Sequence, residues 1–291
     1  MAVEERDPHS GYLTTGHEWN GIKELNTPVP RLVYLALAVT ALFSLGYWIL
    51  MPTFPLGSTY TKGTLGADDR AEVTAAVKQA QTDRSAWTGQ IANKSYADIL
   101  ADPRVMAQVR ATGSVLFGDN CAACHRRDAK GGSGFPNLTT NSWLWGGTPE
   151  AIAETIRVGI NAPHPKTRVS QMPAFGRDSM LKRDEMENVV AYVMSLSKSG
   201  ASKAPTDKIA LGKEVFAANC AACHGPEAKG NPEVGAPNLT DHYWMHGSGE
   251  NALYADVWGG LQGHMPSWEG RLSPLEQKIL VLYIVDLRRP R

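Results

Sequence analysis

The sequence predicts an all-α protein in which one N-terminal membrane helix precedes two tandem domains of the same type. Three observations carry this prediction. Residues 32–51 contain no charged side chain, an internal duplication covers most of the chain beyond residue 110, and apolar residues recur at helical spacing without any strand alternation of useful length. A chain of 291 residues has room for two modest domains and additional segments.

The charge balance argues against one class of function. Lys+Arg and Asp+Glu number 29 each, and no segment carries a basic stripe. A nucleic-acid-binding protein neutralises phosphates with clustered basic side chains. The sequence therefore predicts no nucleic-acid partner.

The uncharged run LVYLALAVTALFSLGYWILM at 32–51 is predicted to span a membrane. Twenty residues at about 1.5 Å per residue cover about 30 Å, the thickness of the hydrocarbon core of a bilayer. A signal peptide is disfavoured because a long polar segment precedes the run, and a buried core helix because the run has no polar face. Lysine and arginine residues are balanced on its two sides, so charge alone does not orient it.

The duplication has three marks in the same order. GSVLFGDNCAACH at 113–125 aligns with GKEVFAANCAACH at 212–224, FPNLTTNSWLWGG at 135–147 with APNLTDHYWMHGS at 236–248, and QMPAF at 171–175 with HMPSW at 264–268. A period of about 100 residues is too long for a stacked repeat, so we expect two tandem domains. The predicted organisation is a leader at 1–31, the span at 32–51, a spacer or docking segment at 52–110, domains at 111–197 and 207–291, and a linker at 198–206.

Helix start signals lie at matching places in the two copies. Thr148 is a predicted N-cap with Pro149 in the first helical position, and Ser248 stands near the start of the equivalent helix. Ser273 opens a Ser-Pro-Leu-Glu capping box. These signals predict helices through 151–160, 184–196, 251–261 and 274–287, and a surface helix is expected at 68–81.

All the cysteines of the chain lie in two CAACH pentapeptides, as Cys121, Cys124, Cys220 and Cys223. C-x-x-C-H is the attachment signature of c-type haem, in which two thiols bond one porphyrin and the following His125 or His224 ligates its iron. A thioredoxin-like redox pair would need βαβ surroundings, and a zinc site would need four ligands from two domains that each look complete. Two copies of the motif therefore predict two covalently bound haem c groups.

Met172 and Met265 are the predicted second axial ligands of the haem irons. Each precedes a proline and has the corresponding place in its copy, 47 and 41 residues beyond the ligating histidine. His/Met ligation fills both axial positions and raises the reduction potential. Alternative ligands are His164, His242, His246 and His264, and each methionine could serve the haem of its own repeat or that of the neighbouring one.

Covalent haem predicts the orientation of the chain in the membrane. Thioether bonds to haem form on the oxidising outer side of bacterial membranes, so residues 52–291 are expected in the periplasm and residues 1–30 in the cytoplasm. The stretch 207–287 has five Lys and Arg against ten Asp and Glu, whereas 111–197 has nine against eight. The acidic second copy is predicted to face a basic donor cytochrome c, because complementary charge raises the rate of association; a solvated surface without a partner is the alternative.

The leader GHEWNGIKELNTPVPR at 16–31, the single span, YTKGTLGADDRAEV at 60–73 and the two CxxCH domains with later Met-Pro pairs resemble the dihaem subunit of cbb3-type cytochrome c oxidases, the CcoP/FixP family. The resemblance covers nearly the whole chain and implies two tandem class I cytochrome c domains. It carries over the functional residues Cys121, Cys124, His125 and Met172, and Cys220, Cys223, His224 and Met265.

The resemblance also implies a role in aerobic respiration at the bacterial inner membrane. The subunit would accept electrons from a donor cytochrome c and pass them to the monohaem subunit, and from there to the haem–copper catalytic subunit, which reduces oxygen and pumps protons. The chain lacks the helices and histidine cluster of a haem–copper centre, so no catalytic residue is expected in it. Alternatives are a dihaem acceptor for a periplasmic dehydrogenase and, less favoured by the Met-Pro pairs, a dihaem peroxidase.

Overall fold

The computed structural model describes residues 5–196 and 204–289 and is mostly helical, which confirms the predicted fold class. The chain divides into one compact unit up to Thr82 and another from Asp83 onward. The first unit contains β1 (Thr14–Trp19), β2 (Ile22–Leu25), α1 (Arg31–Leu50) and the beginning of α2 (Asp69–Asn93). The second contains the end of α2 and then α3 (Tyr96–Ala101), α4 (Pro103–Asn120), α5 (Ala122–His125), α6 (Pro149–Val158), α7 (Arg183–Leu196), α8 (Thr206–Asn219), α9 (Ala221–His224), α10 (Glu250–Gly259) and α11 (Pro274–Leu287).

A small antiparallel hairpin in the leader is the one feature that the all-α prediction missed. Strands β1 and β2 pair with Trp19 opposite Ile22. Asn20 and Gly21 join the strands with φ angles of 53° and 87°, both positive as a type I′ turn requires. Two short, mostly polar strands show no clear alternation, but the Asn-Gly pair is a hairpin signal that could have revealed them.

Helix α1 lies within one residue of the predicted membrane span at each end. None of its side chains is buried, and among the described helices it alone is long and apolar enough to cross a membrane. A helix pairs all its interior backbone groups within itself, so its apolar surface can lie against lipid. We therefore describe α1 as the membrane anchor of the chain.

Most of the predicted helix starts are confirmed. The Thr148 hydroxyl accepts a hydrogen bond from the Ala151 amide at 3.2 Å, and Ser273 forms a complete capping box with Glu276. Ser248 is not the cap of α10, because the helix begins one residue later and Gly249 occupies that position.

The surface helix and the linker differ from their predicted limits. Helix α2 continues to Asn93 because its last turns, through Trp87 and Ile91, join the apolar core of the second unit. Helix α8 begins at Thr206, the last residue of the predicted linker, while residues 197–203 lie outside the described residues.

The first helix of the first repeat packs against the last helix of the second repeat. In α4, Gly113 lies so close to α11 that an added Cβ would be 2.7 Å from the Tyr283 Cβ. The ring of Phe117, one turn further along α4, lies with its centroid 5.8 Å from that of Tyr283. Glycine is therefore required where the two helices cross.

A second helix crossing of the same geometry joins the last helix of the first repeat to the first helix of the second repeat. Gly212 of α8 lies over α7, where an added Cβ would be 2.0 Å from the Asn188 oxygen and 2.8 Å from the Tyr192 Cβ. The ring centroids of Phe216 and Tyr192 are 5.4 Å apart. Helices α7 and α8 thus repeat the geometry of α11 and α4.

The two repeats are consequently interleaved in space. Helix α6 packs against α11, and α10 packs against α7. One apolar core therefore combines the beginning of the first repeat with the end of the second, and the other is built by a continuous stretch that runs from the end of the first repeat into the second. The limits 111–197 and 207–291 describe the repeats in the sequence and stay a prediction for domains, because helix packing crosses them.

Candidate haem sites

Each CAACH pentapeptide forms a single helical turn directly after a long helix. At the first site Cys121 ends α4, and the amides of Cys124 and His125 both donate to its carbonyl, at 3.2 and 2.9 Å. Cys121 is half-buried, whereas Cys124 is exposed. The turn thus presents two thiols and an imidazole within five residues.

The second pentapeptide has the same local structure. The amides of Cys223 and His224 donate to the Cys220 carbonyl at 3.2 and 3.0 Å. Cys220 is half-buried and Cys223 is exposed, as in the first copy. Identical sequence in an identical helical context has produced two equivalent turns.

Both histidines have one ring nitrogen fixed by a backbone carbonyl. The Nδ1 atoms of His125 and His224 lie 3.1 and 3.0 Å from the carbonyl oxygens of Pro136 and Pro237. A carbonyl only accepts, so each Nδ1 carries the proton and each Nε2 keeps a lone pair for a metal. Burial lowers the pKa of both imidazoles, and the carbonyl hydrogen bond opposes this effect only in part.

The cysteines do not have the properties of a redox pair. Burial, followed by the neighbouring cysteine, raises the pKa of Cys121 and of Cys220 to about 11. A reactive disulfide-exchange thiol has a lowered pKa, because the thiolate is its nucleophile. Within residues 5–196 and 204–289, no group of three or more His, Cys, Asp or Glu side chains could hold a metal ion.

Each methionine candidate is held by backbone pairing with the other repeat. Ile160 and Met265 exchange two hydrogen bonds, both at 2.9 Å, and Met172 exchanges two with Leu261, at 2.8 and 3.1 Å. Ile160 and Leu261 follow the ends of α6 and α10 at equivalent places. The Met-Pro loop of each repeat therefore pairs with the segment that follows α6 or α10 in the other repeat.

The apolar surroundings of the methionines agree with this exchange. Met265 packs against the core cluster that contains Phe117, with Cys121 as another partly buried member. Met172 packs against a cluster that shares Val215 and Val257 with the cluster around Cys220. Met265 thus lies with the first pentapeptide and Met172 with the second.

The alternative histidine ligands lie elsewhere. His242, His246 and His264 are exposed. The Nε2 atom of His164 lies 2.6 Å from Glu269 in an ion-pair network that also includes Arg157. Met265 and Met172, in contrast, pack against the apolar clusters next to the pentapeptides.

The two sites contact each other through equivalent loops, which sequence reasoning missed. The Asn137 amide, next to the Pro136 carbonyl that holds His125, donates to the Tyr243 hydroxyl at 2.7 Å. The Ser142 hydroxyl donates to the Asp241 carboxylate at 2.8 Å. Ser142 and Tyr243 occupy the same place in the two copies of the PNLT segment. Polar side chains at equivalent positions of the repeat were the sequence signal for this contact between the two loops.

The donor sets fit the chemistry of haem c. Each CAACH turn presents two thiols for vinyl addition and an imidazole with its Nε2 available, and a Met-Pro loop offers a candidate thioether. This fold and this pair of sites define a c-type cytochrome, and its cytochrome c domains imply covalently bound haem c.

Comparison with known protein families supports this class and narrows it. Residues 11–58 match the N-terminal domain of cytochrome oxidase-cbb3, FixP; residues 110–197 match cytochrome c; and residues 207–284 match cytochrome C oxidase, cbb3-type, subunit III. The chain is 47% identical over 283 residues to the cbb3-type cytochrome c oxidase subunit FixP of Bradyrhizobium sp. (strain ORS 278) and 46% identical over 286 residues to that of Bradyrhizobium diazoefficiens, with 97% of each chain covered in both comparisons.

A third relative comes from a different genus. The chain is 40% identical over 294 residues to the cbb3-type cytochrome c oxidase subunit CcoP of Azospirillum brasilense, with 99% of each chain covered. The chain therefore belongs to the FixP/CcoP family of cbb3-type cytochrome c oxidase subunits, which confirms the predicted family.

Proposed function

We propose that this chain is the dihaem electron-transfer subunit of a cbb3-type oxidase. It takes electrons from a donor cytochrome c and passes them to a monohaem cytochrome c subunit, from which they reach the haem–copper centre that reduces oxygen. The observation that supports the proposal is the reciprocal pairing of Ile160 with Met265 and of Leu261 with Met172, which holds each Met-Pro loop against the other repeat.

One haem c is held by Cys121 and Cys124, with His125 and Met265 as the axial ligands of its iron. The other is held by Cys220 and Cys223, with His224 and Met172. Of the two pairings left open by the sequence, we thus propose the one in which each methionine serves the haem of the neighbouring repeat. Haem c, when bound, supplies an iron that gains and loses one electron.

The protein residues keep each site closed and fixed. The carbonyls of Pro136 and Pro237 orient the imidazoles, and the backbone pairs at Ile160 and Leu261 hold the thioether loops. Two strong axial ligands leave no exchangeable position on the iron, which disfavours the peroxidase alternative. Apolar clusters around Phe117 and Phe216 line the buried side of the two sites.

The membrane helix and the charges suggest where the partners lie. We place α1 in the bacterial inner membrane, the leader in the cytoplasm and both haem sites in the periplasm, together with the other oxidase subunits. Residues 207–260, which belong to the second site, have three Lys and Arg against seven Asp and Glu. This acidic stretch is the proposed docking surface for a basic donor cytochrome c.

Variants that keep a single haem test the ligand pairing. In a Cys220→Ser/Cys223→Ser chain, only the first haem remains, and Met265→Ala should abolish its near-infrared sulfur–iron band, whereas Met172→Ala should leave the band unchanged. In a Cys121→Ser/Cys124→Ser chain the two methionine substitutions should exchange their effects. The same dependence with the methionines reversed would contradict the crossed ligation.

Purification from the native membrane tests the assignment to the oxidase. We expect b-type haem and copper to copurify with the chain, together with a monohaem cytochrome c. Copurification with a periplasmic dehydrogenase, without copper, would instead support the alternative role as a dehydrogenase acceptor.

A further inference from the structure

Three buried side-chain nitrogens lack a hydrogen-bond partner in the part of the chain that the structure describes. They are Nε1 of Trp145, Nε of Arg168 and Nε of Arg288. All three are donors, and two belong to guanidinium groups. A buried donor left without an acceptor costs about 1–3 kcal/mol, and more when it is charged. The three atoms therefore indicate that an acceptor of negative charge belongs beside them.

Arg168 and Trp145 form the first of two arginine–tryptophan pairs. The guanidinium carbon of Arg168 lies 4.9 Å from the centroid of the Trp145 ring, and its Nη2 donates to the Ala151 carbonyl at 3.1 Å. Burial lowers the pKa of Arg168, against a smaller opposing effect of Glu154. That carboxylate already accepts two hydrogen bonds from Arg157, at 2.8 and 2.9 Å.

Arg288 and Trp143 form the second pair, at the end of α11. The guanidinium carbon of Arg288 lies 5.1 Å from the centroid of the Trp143 ring, and Trp143 Nε1 donates to the Thr140 carbonyl at 2.9 Å. An added Cβ on Gly147 would be 2.8 Å from Arg288 Nη1, so glycine leaves room for the guanidinium. Burial alone lowers the pKa of Arg288, without an opposing acidic side chain.

Both pairs lie at the first haem site. The Arg168 amide donates to the Gly159 carbonyl at 3.1 Å, one residue before the Ile160 that pairs with Met265. Trp143 packs against the apolar cluster that Met265 and Cys121 also join. The unpartnered donors therefore lie next to the site that we assign to the haem of Cys121 and Cys124. The Trp145 ring also lies against Gly235 of the second repeat, where an added Cβ would be 2.5 Å from the indole.

We propose that Arg168, Trp145 and Arg288 bind the propionate carboxylates of the first haem, and that the two arginines give this haem a higher reduction potential than the second. The inference rests on the proposed function, which places a haem at this site. Haem c carries two propionates, and arginine binds carboxylates through paired N–H donors. Positive charge near the iron disfavours the ferric state, which carries one more positive charge than the ferrous state.

Among the described residues, the second site has no cation at the place of Arg168 or of the Arg288 pair. His246 aligns with Trp145 in the repeat and is exposed. In the sequence alone, serine stands at position 197, which aligns with Arg288 and lies outside the described residues. Eleven residues separate Ile160 from Met172, but only three separate Leu261 from Met265, so no residue corresponds to Arg168. The acidic stretch 207–260 lies with the second site and favours its ferric state.

Redox titration of the full-length, haem-loaded chain tests the inference. We expect two one-electron waves, and the Cys220→Ser/Cys223→Ser chain identifies the wave of the first haem. Arg168→Gln and Arg288→Gln should each lower that wave enough to shift the electron distribution between the haems by about tenfold, ~59 mV for one electron. The wave of the second haem should not move, and Arg168→Lys should retain most of the wild-type potential.

The matched control is Arg177→Gln, on the Met172 loop. The Arg177 side chain is 59% exposed and pairs with Asp178 at 3.2 Å, so removal of its charge should leave both waves unchanged.

If Arg168→Gln and Arg288→Gln keep both haems covalently bound and sulfur-ligated but leave the first wave unchanged, the inference is wrong while the proposed function stands. A wild-type chain that contains no covalently bound haem, or whose spectrum has no sulfur–iron bands, would instead contradict the proposed function. Should the one-haem chain not fold, the two-wave titration still decides, because the variants must move one wave only.

Discussion

Ile160 and Met265 exchange both of their backbone hydrogen bonds, each at 2.9 Å, although they belong to different repeats. Leu261 and Met172 form the equivalent pair, at 2.8 and 3.1 Å. Ile160 and Leu261 each directly follow the glycine that ends a helix. Each Met-Pro loop is thus held by hydrogen bonds to one of these two residues, in the repeat to which the loop does not belong. The position of each thioether therefore depends on residues about one hundred positions away in the sequence.

The glycines before these pairs should be irreplaceable. Gly159 has a φ of 71°, and an added Cβ would be 2.4 Å from the Met265 carbonyl oxygen; Gly260 has a φ of 68° and a corresponding distance of 2.5 Å from the Met172 oxygen. Alanine at either position should lower the free energy of unfolding by about 1–3 kcal/mol, because it adds backbone strain to a steric clash. Thermal denaturation measures this loss.

The sulfur–iron band shows which site each glycine supports. Gly159→Ala should weaken the band of the first haem and Gly260→Ala that of the second, measured in the one-haem chains. Gly263→Ala is the control, since no atom lies within 4 Å of its added Cβ and its φ is not positive. Equal effects of the two glycines on both haems would contradict the exchanged arrangement.

The last helix of the chain should stabilise the first site and not the second. Leu282 of α11 is fully buried in the cluster that includes Phe117. Leu282→Ala should cost about 2–5 kcal/mol, because it leaves a cavity in a packed core. In the chain that keeps only the first haem, denaturant unfolding followed by haem absorbance should report this loss.

Two further substitutions complete this test. Met186 of α7 is 4% exposed and lies in the cluster that Met172 joins, so Met186→Ala should destabilise the second site by a similar amount. Leu211 is 50% exposed, and Leu211→Ala should have little effect. A Leu282→Ala chain that is destabilised chiefly at the second haem would show that the helices are not exchanged as described.

Local structure followed the sequence closely, because local rules suffice for it. The capping box at Ser273, the cap at Thr148 and the uncharged run before Met51 each depend on neighbouring residues only. The grouping of two thiols and an imidazole was predictable for the same reason, since one helical turn holds all three. The leader hairpin was not predicted because its only clear sequence signal is the pair Asn20 and Gly21.

The pairing of the helices could not be predicted from the repeat itself. Gly113 with Phe117 and Gly212 with Phe216 present the same surface, and Tyr283 and Tyr192 are equivalent partners, so neither pairing has an advantage at the crossing itself. Nine residues of sequence separate α7 from α8, close to the ~2–8 residues that usually join helices packed against each other. The length of this connection can be counted in the sequence. A tandem repeat, however, is most simply interpreted as two separate domains, and this interpretation does not predict the exchange of helices.

Acid should loosen the loop that carries Met265. The hydrogen bond from His164 and then the one from Arg157 lower the pKa of Glu269 below its usual value of 4.5. A carboxylate with a depressed folded-state pKa contributes stability above the unfolded pKa and loses it as the pH falls. At pH 7, Glu269→Gln should therefore unfold more readily than the wild type, and the difference should vanish as the pH falls below about 4.5.

Thermal unfolding of the two proteins across pH 3–7 measures this dependence. Glu233→Gln, on the exposed loop of the second site, is the control and should not alter the first haem. A stability difference for Glu269→Gln that persists unchanged at pH 3 would show that its ion pairs are not the cause.

The acidic stretch 207–260 should accelerate electron delivery from a basic donor cytochrome c. Complementary charge steers the encounter of two proteins, and salt screens it over a Debye length of about 10 Å at 0.1 M. Stopped-flow reduction should slow as ionic strength rises, and the combined Glu214→Gln, Glu227→Gln and Glu233→Gln chain should be slower by about tenfold at low salt and less salt-dependent. Glu150→Gln, which removes one negative charge from the start of α6 at the first site, should change the rate less than Glu227→Gln alone does. A rate that does not respond to salt, or that Glu150→Gln lowers as much as Glu227→Gln does, would move the docking surface away from the second site.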